Sequence, residues 1–396
     1  MNKPASSPWL PAAAAGLCAL LIGIGLGRFS YVALLPLMID AHWASPGGAA
    51  QIAAANLIGY LLGALIAHRL AIKAGTVRVV RIAMVAILLS FAACGIDLGL
   101  AWFWGWRFIA GVSGALLMIL AAPCLLGQLP VAQRGKAAGI MFSGVGWGVV
   151  LSGFAAPAFG AVQLSLAWFA LAAMIGLCAL WSWPQYDKPQ METHGQSHAR
   201  PAQGRILPRG VLLALLVAYS LDAVGYLPHT VFWVEYLVHG LGKPVSAGGA
   251  YWVVFGLGAA LGPPVCGLVA DRIGFRKTVI GCLAIKGAAV ALPLLSTTTV
   301  ALLASSLLVG ALSPGMGAVV SGRVIEIAGP GGHQRNWALL TFSYSVLQAA
   351  GGHAMATLYA TTHSFTMLFV IGASALGIAT IVASLGATTQ KSGAPG

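Results

Sequence analysis

Charge is what this chain has least of. Only 7% of its 396 residues are Asp, Glu, Lys or Arg, while 59% are hydrophobic and the mean hydropathy is +0.89. A soluble domain carries about one quarter charged residues, so a fully water-covered surface is excluded and the chain reads as an integral membrane protein. Cysteine is also thin: Cys18, Cys94, Cys124, Cys178, Cys266 and Cys282 fall in apolar stretches with no CxxC spacing. That distribution suits small packing residues and implies neither a disulfide scaffold nor a metal site. No strand leads into a Gly-rich turn ending in GK[ST], so the glycines at 23–27, 144–148 and 256–262 serve close helix approach and not a nucleotide. Neither ATP hydrolysis nor another enzyme activity is indicated, because no close polar cluster suited to catalysis is visible.

What the chain has in quantity is apolar sequence long enough to cross roughly 30 Å of hydrocarbon. Twelve segments qualify, at 12–38, 48–69, 75–96, 101–128, 136–160, 163–184, 209–238, 247–270, 278–297, 299–325, 336–361 and 363–386. Stretches such as LLALLVAYSLDAVGY are apolar around the whole helix and lack the dyad alternation of a membrane barrel. The first segment follows MNKPASSPW without a convincing cleavage site and is expected to be retained.

The breaks organise the chain. Residues 185–208 form the longest polar stretch and divide the segments six and six. The expected plan is an N-terminal six-helix bundle over 1–184, a cytoplasmic linker over 185–208, and a C-terminal six-helix bundle with a short cytoplasmic tail over 209–396. ALIAHRLAIK at 64–73 and GLVADRIGFR at 267–276 suggest a repeat that sets Arg69 opposite Arg272 and Lys73 opposite Arg276. The net charge of +13 sorts by side. Lys3, Arg69, Lys73, Arg78, Arg81, Arg134, Lys136, Lys188, Arg200, Arg205, Arg209, Arg272, Arg276, Lys277, Arg323, Arg335 and Lys391 share one side and Lys243 stands on the other. Positive charge stays cytoplasmic, so both termini are expected inside, with anionic lipid and no nucleic acid as the partner of this charge.

GLVADRIGFRK at 267–277 resembles the loop motif of the major facilitator superfamily through Gly267, Asp271, Arg272, Gly274, Arg276 and Lys277. The first-half copy departs from that pattern at His68 and Ala71. RFIAGVSGA at 107–115 resembles the Arg-initiated motif of the family's fourth helix, and GLGRFSYVALLPLM with GYLPHT is similar to the YbfB-type bacterial group. The resemblance implies an all-α membrane protein of twelve transmembrane helices in two pseudo-symmetric six-helix bundles. It also implies secondary transport by alternating access in a bacterial inner membrane. Asp271 is then expected to pair with the basic end of the tenth helix and the N-terminus of the fifth, so that Asp271, Arg272, Arg323 and Glu326 serve gating.

Charges inside apolar segments are costly and mark function or a fixed partner. Arg28, mid-way along the first segment, either binds an anionic group in a wet cavity or tethers backbone carbonyls. Its planar donor fork suits a carboxylate, sulfonate or phosphate. Arg107, about one and a half turns from the outer face, is either a snorkelling structural residue or a substrate-facing one. Asp222, well inside the seventh segment, is the proton-coupling candidate, the other reading being a fixed ion pair with Arg28 or Lys286. Lys286 leans structural, and Glu235 and Asp40 read as solvated rim charges. Tyr31, Trp147, Tyr226, His229, Gln348 and His353 complete the expected cavity lining, each also open to a plain interhelical contact.

The expected cargo is a small organic anion, carboxylate-like, with protons as the coupling ion, no cofactor, and no obligate protein partner. Efflux of an amphipathic drug, carriage of a neutral metabolite such as a sugar, and a non-transporting receptor or assembly role are the alternatives.

Overall fold

The computed structural model describes residues 9–187 and 207–386, and every regular element among them is helical. The first bundle contains α1 (Trp9–Asp40), α2 (Pro46–Ala74), α3 (Thr76–Cys94), α4 (Leu100–Leu126), α5 (Val131–Gly160) and α6 (Leu164–Ser182). The second begins with α7 (Arg209–Val231, continuing through Trp233–Glu235 and Tyr236–Gly240) and adds α8 (Val245–Ile273) and α9 (Phe275–Leu295). It ends with α10 (Thr299–Gly329), α11 (330–362) and α12 (Phe365–Leu385). Eleven of these helices are long and apolar enough to span a membrane. The remaining one, α11, carries Arg335, Asn336, Gln348 and His353, which lower its hydropathy. Helices α10 and α11 meet at Gly329, whose φ of 68° and ψ of 172° no helix interior contains, and the Ser321 hydroxyl lies 2.9 Å from His333 Nε2 across the turn.

The internal repeat is legible in the helix starts. Pro46 and Val245, Thr76 and Phe275, and Leu100 and Thr299 are each 199 residues apart. Gly75 (φ 84°) and Gly274 (φ 87°) make the same left-handed turn after α2 and α8, a conformation that favours glycine because it has no Cβ. This spacing sets Lys73 opposite Arg272 and Arg78 opposite Lys277, one helical turn from the register expected from sequence. A slip of four residues keeps each side chain on nearly the same helix face, so apolar patterning alone does not exclude it. The expected linker begins within a short 3₁₀ segment, Trp183–Asp187, where Arg81 Nη2 meets Asp187 Oδ2 at 2.6 Å. Residues 188–206 lie outside the described residues, as do Lys3 and Lys391.

The topology puts the turns after α1, α3, α5, α7, α9 and α11 on one face, called here the far face, and Trp9 and Leu385 toward the other, the terminal face. Small residues let the halves approach. A Cβ on Gly146 of α5 would lie 2.3 Å from Ala260 N of α8, and one on Gly249 of α8 would lie 2.4 Å from Gly153 O of α5. Toward the far face, Gln51 Nε2 of α2 donates to Thr357 Oγ1 of α11 at 3.1 Å, and His239 of α7 lies 2.8 Å from Asp40 Oδ1 of α1. Among the described residues, the side-chain hydrogen bonds that join the halves lie at Arg28 or farward of it.

Candidate functional site

The site grows from a defect in α1. Gly23, Gly25 and Gly27 sit in or beside a π-helical turn (Leu21–Leu26), and Gly27 N reaches back to Ile22 O at 2.8 Å. Regular α bonding resumes only with Ser30–Asp40, so carbonyls near the break need other partners. Asn56 Nδ2 of α2 donates to Gly27 O at 3.4 Å and to Arg107 O at 3.1 Å, while Arg107 Nη2 of α4 donates to Arg28 O at 3.3 Å. Three helices are thereby tied around the break.

Arg28 leaves this knot toward the second bundle. Its Nη1 donates to Gln348 Oε1 of α11 at 3.0 Å and its Nη2 to the Tyr226 hydroxyl of α7 at 3.1 Å. Gln348 Nε2 also donates to that hydroxyl, so Tyr226 receives from both groups. The Arg28 guanidinium lies 5.1 Å from the Phe29 ring centroid and 5.8 Å from that of Tyr60. A small hollow beside it is lined by Arg28, Tyr31, Asn56, Arg107, Thr230 and Val231, from α1, α2, α4 and α7.

Arg107 is fully buried, with its guanidinium 5.2 Å from the Tyr31 ring and 5.3 Å from the Phe91 ring. Rings stabilise a cation through their quadrupole but accept no conventional hydrogen bond. Arg107 Nε and Nη1 have no hydrogen-bond partner among the described residues, nor has Asn56 Oδ1. A buried donor left unpaired costs about 1–3 kcal/mol. No carboxylate among the described residues forms an ion pair with Arg28 or Arg107.

Tyr31 lines the hollow, and its hydroxyl donates to Ala49 O at 2.9 Å. The structure does not bring Trp147, His229 or His353 there. Trp147 is 45% exposed on α5, and His353 is exposed on α11, because depth along a helix says nothing about which way a side chain faces. His229 is fully buried inside the second bundle, stacked on Trp233 at 4.2 Å, with Nε2 2.8 Å from Ser305 Oγ. The Ser305 hydroxyl donates to Ala289 O at 2.6 Å, so His229 carries its proton on Nε2.

Asp222 does not meet Arg28. Lys286 Nζ of α9 donates to Asp222 Oδ1 at 2.8 Å, both side chains are fully buried, and Asp222 Oδ2 has no hydrogen-bond partner among the described residues. Lys286 is more than a peripheral residue, since its ammonium also stands 5.4 Å from the Tyr226 ring centroid. Near the terminal face the expected pairing of Asp271 is not made among the described residues. Asp271 and Arg272 are exposed, and Arg323 Nη1 instead donates to Glu326 Oε2 at 2.5 Å, a local i,i+3 partner that requires no approach of α8.

Four groups escaped the sequence reading. Asn56 and Tyr60 lie on α2 facing Arg28, and only their polarity within an apolar run pointed to them. Glu235, read as a rim charge, is 1% exposed and holds His239 Nδ1 at 2.9 Å and the Tyr359 hydroxyl at 3.1 Å. The i,i+4 spacing of Glu235 and His239 on one helix face was the available signal for that pair.

A family model described as the uncharacterised MFS-type transporter YbfB matches residues 20–384. The uncharacterized MFS-type transporter YceJ of Bacillus subtilis (strain 168) is 28% identical over 282 residues, 67% of this chain and 68% of that protein. The uncharacterized MFS-type transporter YE1530 of Yersinia enterocolitica is 32% identical over 105 residues, 26% of this chain and 27% of that protein. Two solved structures share the fold. One is a D-xylose–proton symporter with a TM-score of 0.73 and 17% identity, over 94% of this chain and 96% of the other. The second is the xylose transporter XylE from E. coli in a partially occluded, inward-open conformation, with a TM-score of 0.72 and 13% identity, over 95% of this chain and 98% of the other.

Proposed function

The chain belongs to the YbfB-type family of major facilitator transporters, and from that premise we propose that its cargo is a small organic anion of the carboxylate class. The observation that carries this reading is the pair of guanidiniums from Arg28 and Arg107 on one hollow, with no acid among the described residues paired to either. Two cations beside one hollow attract an anion, and the Arg28 fork matches the two oxygens of a carboxylate once Gln348 and Tyr226 give way. Tyr31, Tyr226 and Gln348 then complete the cradle. Asp222, paired with Lys286, accepts the coupling proton on its unpartnered oxygen. Asp271, Arg272, Arg323 and Glu326 act in gating on the terminal face, with Asp271 free to find its partner in another state. The protein works in a bacterial inner membrane with both termini cytoplasmic, so the far face is the outside.

A second reading, a neutral hydroxylated metabolite such as a sugar, is favoured by the amides of Asn56 and Gln348 beside the same hollow. The D-xylose–proton symporter and the xylose transporter of the same fold also favour it. A melting-temperature screen of purified protein against short mono- and dicarboxylates and against pentoses and hexoses separates the readings. Ligand at 100 times its Kd stabilises by about 2.7 kcal/mol, a readily visible shift. The anion reading expects carboxylates to raise the melting temperature and Arg28→Gln to abolish that rise. Stabilisation by sugars alone, unchanged in Arg28→Gln, overturns it.

A further inference from the structure

We propose that Tyr226 is the positioning residue that links the anion site to the Asp222–Lys286 pair, its hydroxyl standing in for the anion on Arg28 and its ring holding Lys286. This rests on the anion reading above and deepens it. Tyr226 is 4% exposed and shared between two cations. Arg28 Nη2 donates to its hydroxyl from α1 at 3.1 Å, and Lys286 stands 5.4 Å from its ring from α9. The same Lys286 donates to Asp222 at 2.8 Å. Arg28 and Asp222 are thus connected without touching, through one phenol and one ammonium.

The backbone adds a second connection. Tyr226 follows the last residue of the Arg209–Gly225 helix, and its N–H reaches Asp222 O at 3.4 Å, a long bond at the point where the helix breaks before Pro228. Asp222 and Tyr226 are one turn apart on the same segment, so reorientation of the phenol acts at the Asp222 turn.

An incoming carboxylate needs the Arg28 donors that Tyr226 and Gln348 now occupy. Displacing them frees the phenol from one cation, leaves its ring a better partner for the other, and draws Lys286 away from Asp222. Asp222 then stands as an uncompensated buried carboxylate and takes up one proton from solution, so that one anion and one proton are bound together. The other titratable groups acting on Asp222 are the phenols of Tyr219 on α7 and Tyr344 on α11 and the Cys282 thiol on α9. None of these bonds Arg28.

The test uses formate, the smallest carboxylate, as the probe. Full-length protein in weakly buffered detergent solution is mixed with pH-matched formate, proton uptake is read with an indicator dye, and binding is read separately from the melting temperature. The unaltered protein is expected to take up close to one proton per bound formate, and Asp222→Asn none. Tyr226→Phe is expected to bind formate at least as tightly, because a competitor for Arg28 is gone, but to lose most of the uptake. Gln51→Leu, which removes a different side-chain bond between the halves and leaves the phenol in place, keeps it. Should Tyr226→Phe not fold, Arg28→Lys carries the test, since a lysine retains the charge without the fork that reaches the phenol; formate binding with lost uptake is the expected result.

Uptake in Tyr226→Phe equal to that of the unaltered protein overturns the linkage while the anion site stands. Formate binding without proton uptake in the unaltered protein does the same. Absence of Arg28-dependent formate binding overturns both.

Discussion

Arg28, Arg107, Asp222 and Lys286 illustrate how charge acts in a nearly uncharged chain. Each is costly in hydrocarbon, and each has a different resolution. Arg28 is shared among Gln348, Tyr226 and aromatic faces, Arg107 sits between two rings with donors unused, and Asp222 and Lys286 pair with each other. Removing one member of a buried pair leaves the other uncompensated, at a cost of about 3–5 kcal/mol, while replacing both with apolar groups is often neutral. Asp222→Leu and Lys286→Met are therefore each expected to lower the melting temperature clearly, and the double variant to recover most of the loss. Additive losses in the double variant contradict a direct pair. That Arg28 and Asp222 need partners was legible in the sequence, because their depth alone makes them expensive. The partner of Asp222 was not, since Arg28 and Lys286 were both within conceivable reach and only the helix arrangement selects between them. Trp147 and His353 failed for the related reason that position along a helix specifies depth and not direction.

The helices themselves were easier to read than their joints. Long apolar runs located the helices to within a few residues, whereas the caps the structure uses, Ser45 on Gly48 N and Thr298 on Ala301 N, were not read from the sequence. The π-helical turn in α1 and the break at Tyr226 in α7 were visible only as glycines and a proline. Their effect depends on partners from other helices, such as Asn56 and Arg107. The repeat register slipped by one turn because Gly75, not Ala71, makes the turn that matches Gly274. Close packing of α5 on α8 yields a direct prediction. Gly146→Val places carbon where Ala260 backbone now lies, and overpacking of this kind costs about 1–3 kcal/mol. Its melting temperature and transport rate are expected to fall, whereas Gly139→Val on the same helix, where a Cβ meets nothing within 4 Å, is expected to leave both near the original values. Equal effects of the two substitutions would remove the α5–α8 seam from the account.

Across the whole molecule, two bundles related by a constant spacing meet around a polar centre, with basic residues gathered toward the terminal face. Fold and family were accessible to sequence because hydropathy, the six-and-six division and the GLVADRIGFRK motif all act locally. The cargo was not, because which polar side chains converge from α1, α2, α4, α7 and α11 is decided by helix packing and not by local sequence. The account rests centrally on an anion held by Arg28 between the two bundles. Counterflow of a radiolabelled short carboxylate into proteoliposomes preloaded with the same unlabelled compound tests it most directly, since exchange needs no driving gradient. The account predicts carboxylate counterflow that Arg28→Gln abolishes while the variant remains folded. Counterflow of sugar but not carboxylate, or carboxylate counterflow unchanged in Arg28→Gln, would contradict it.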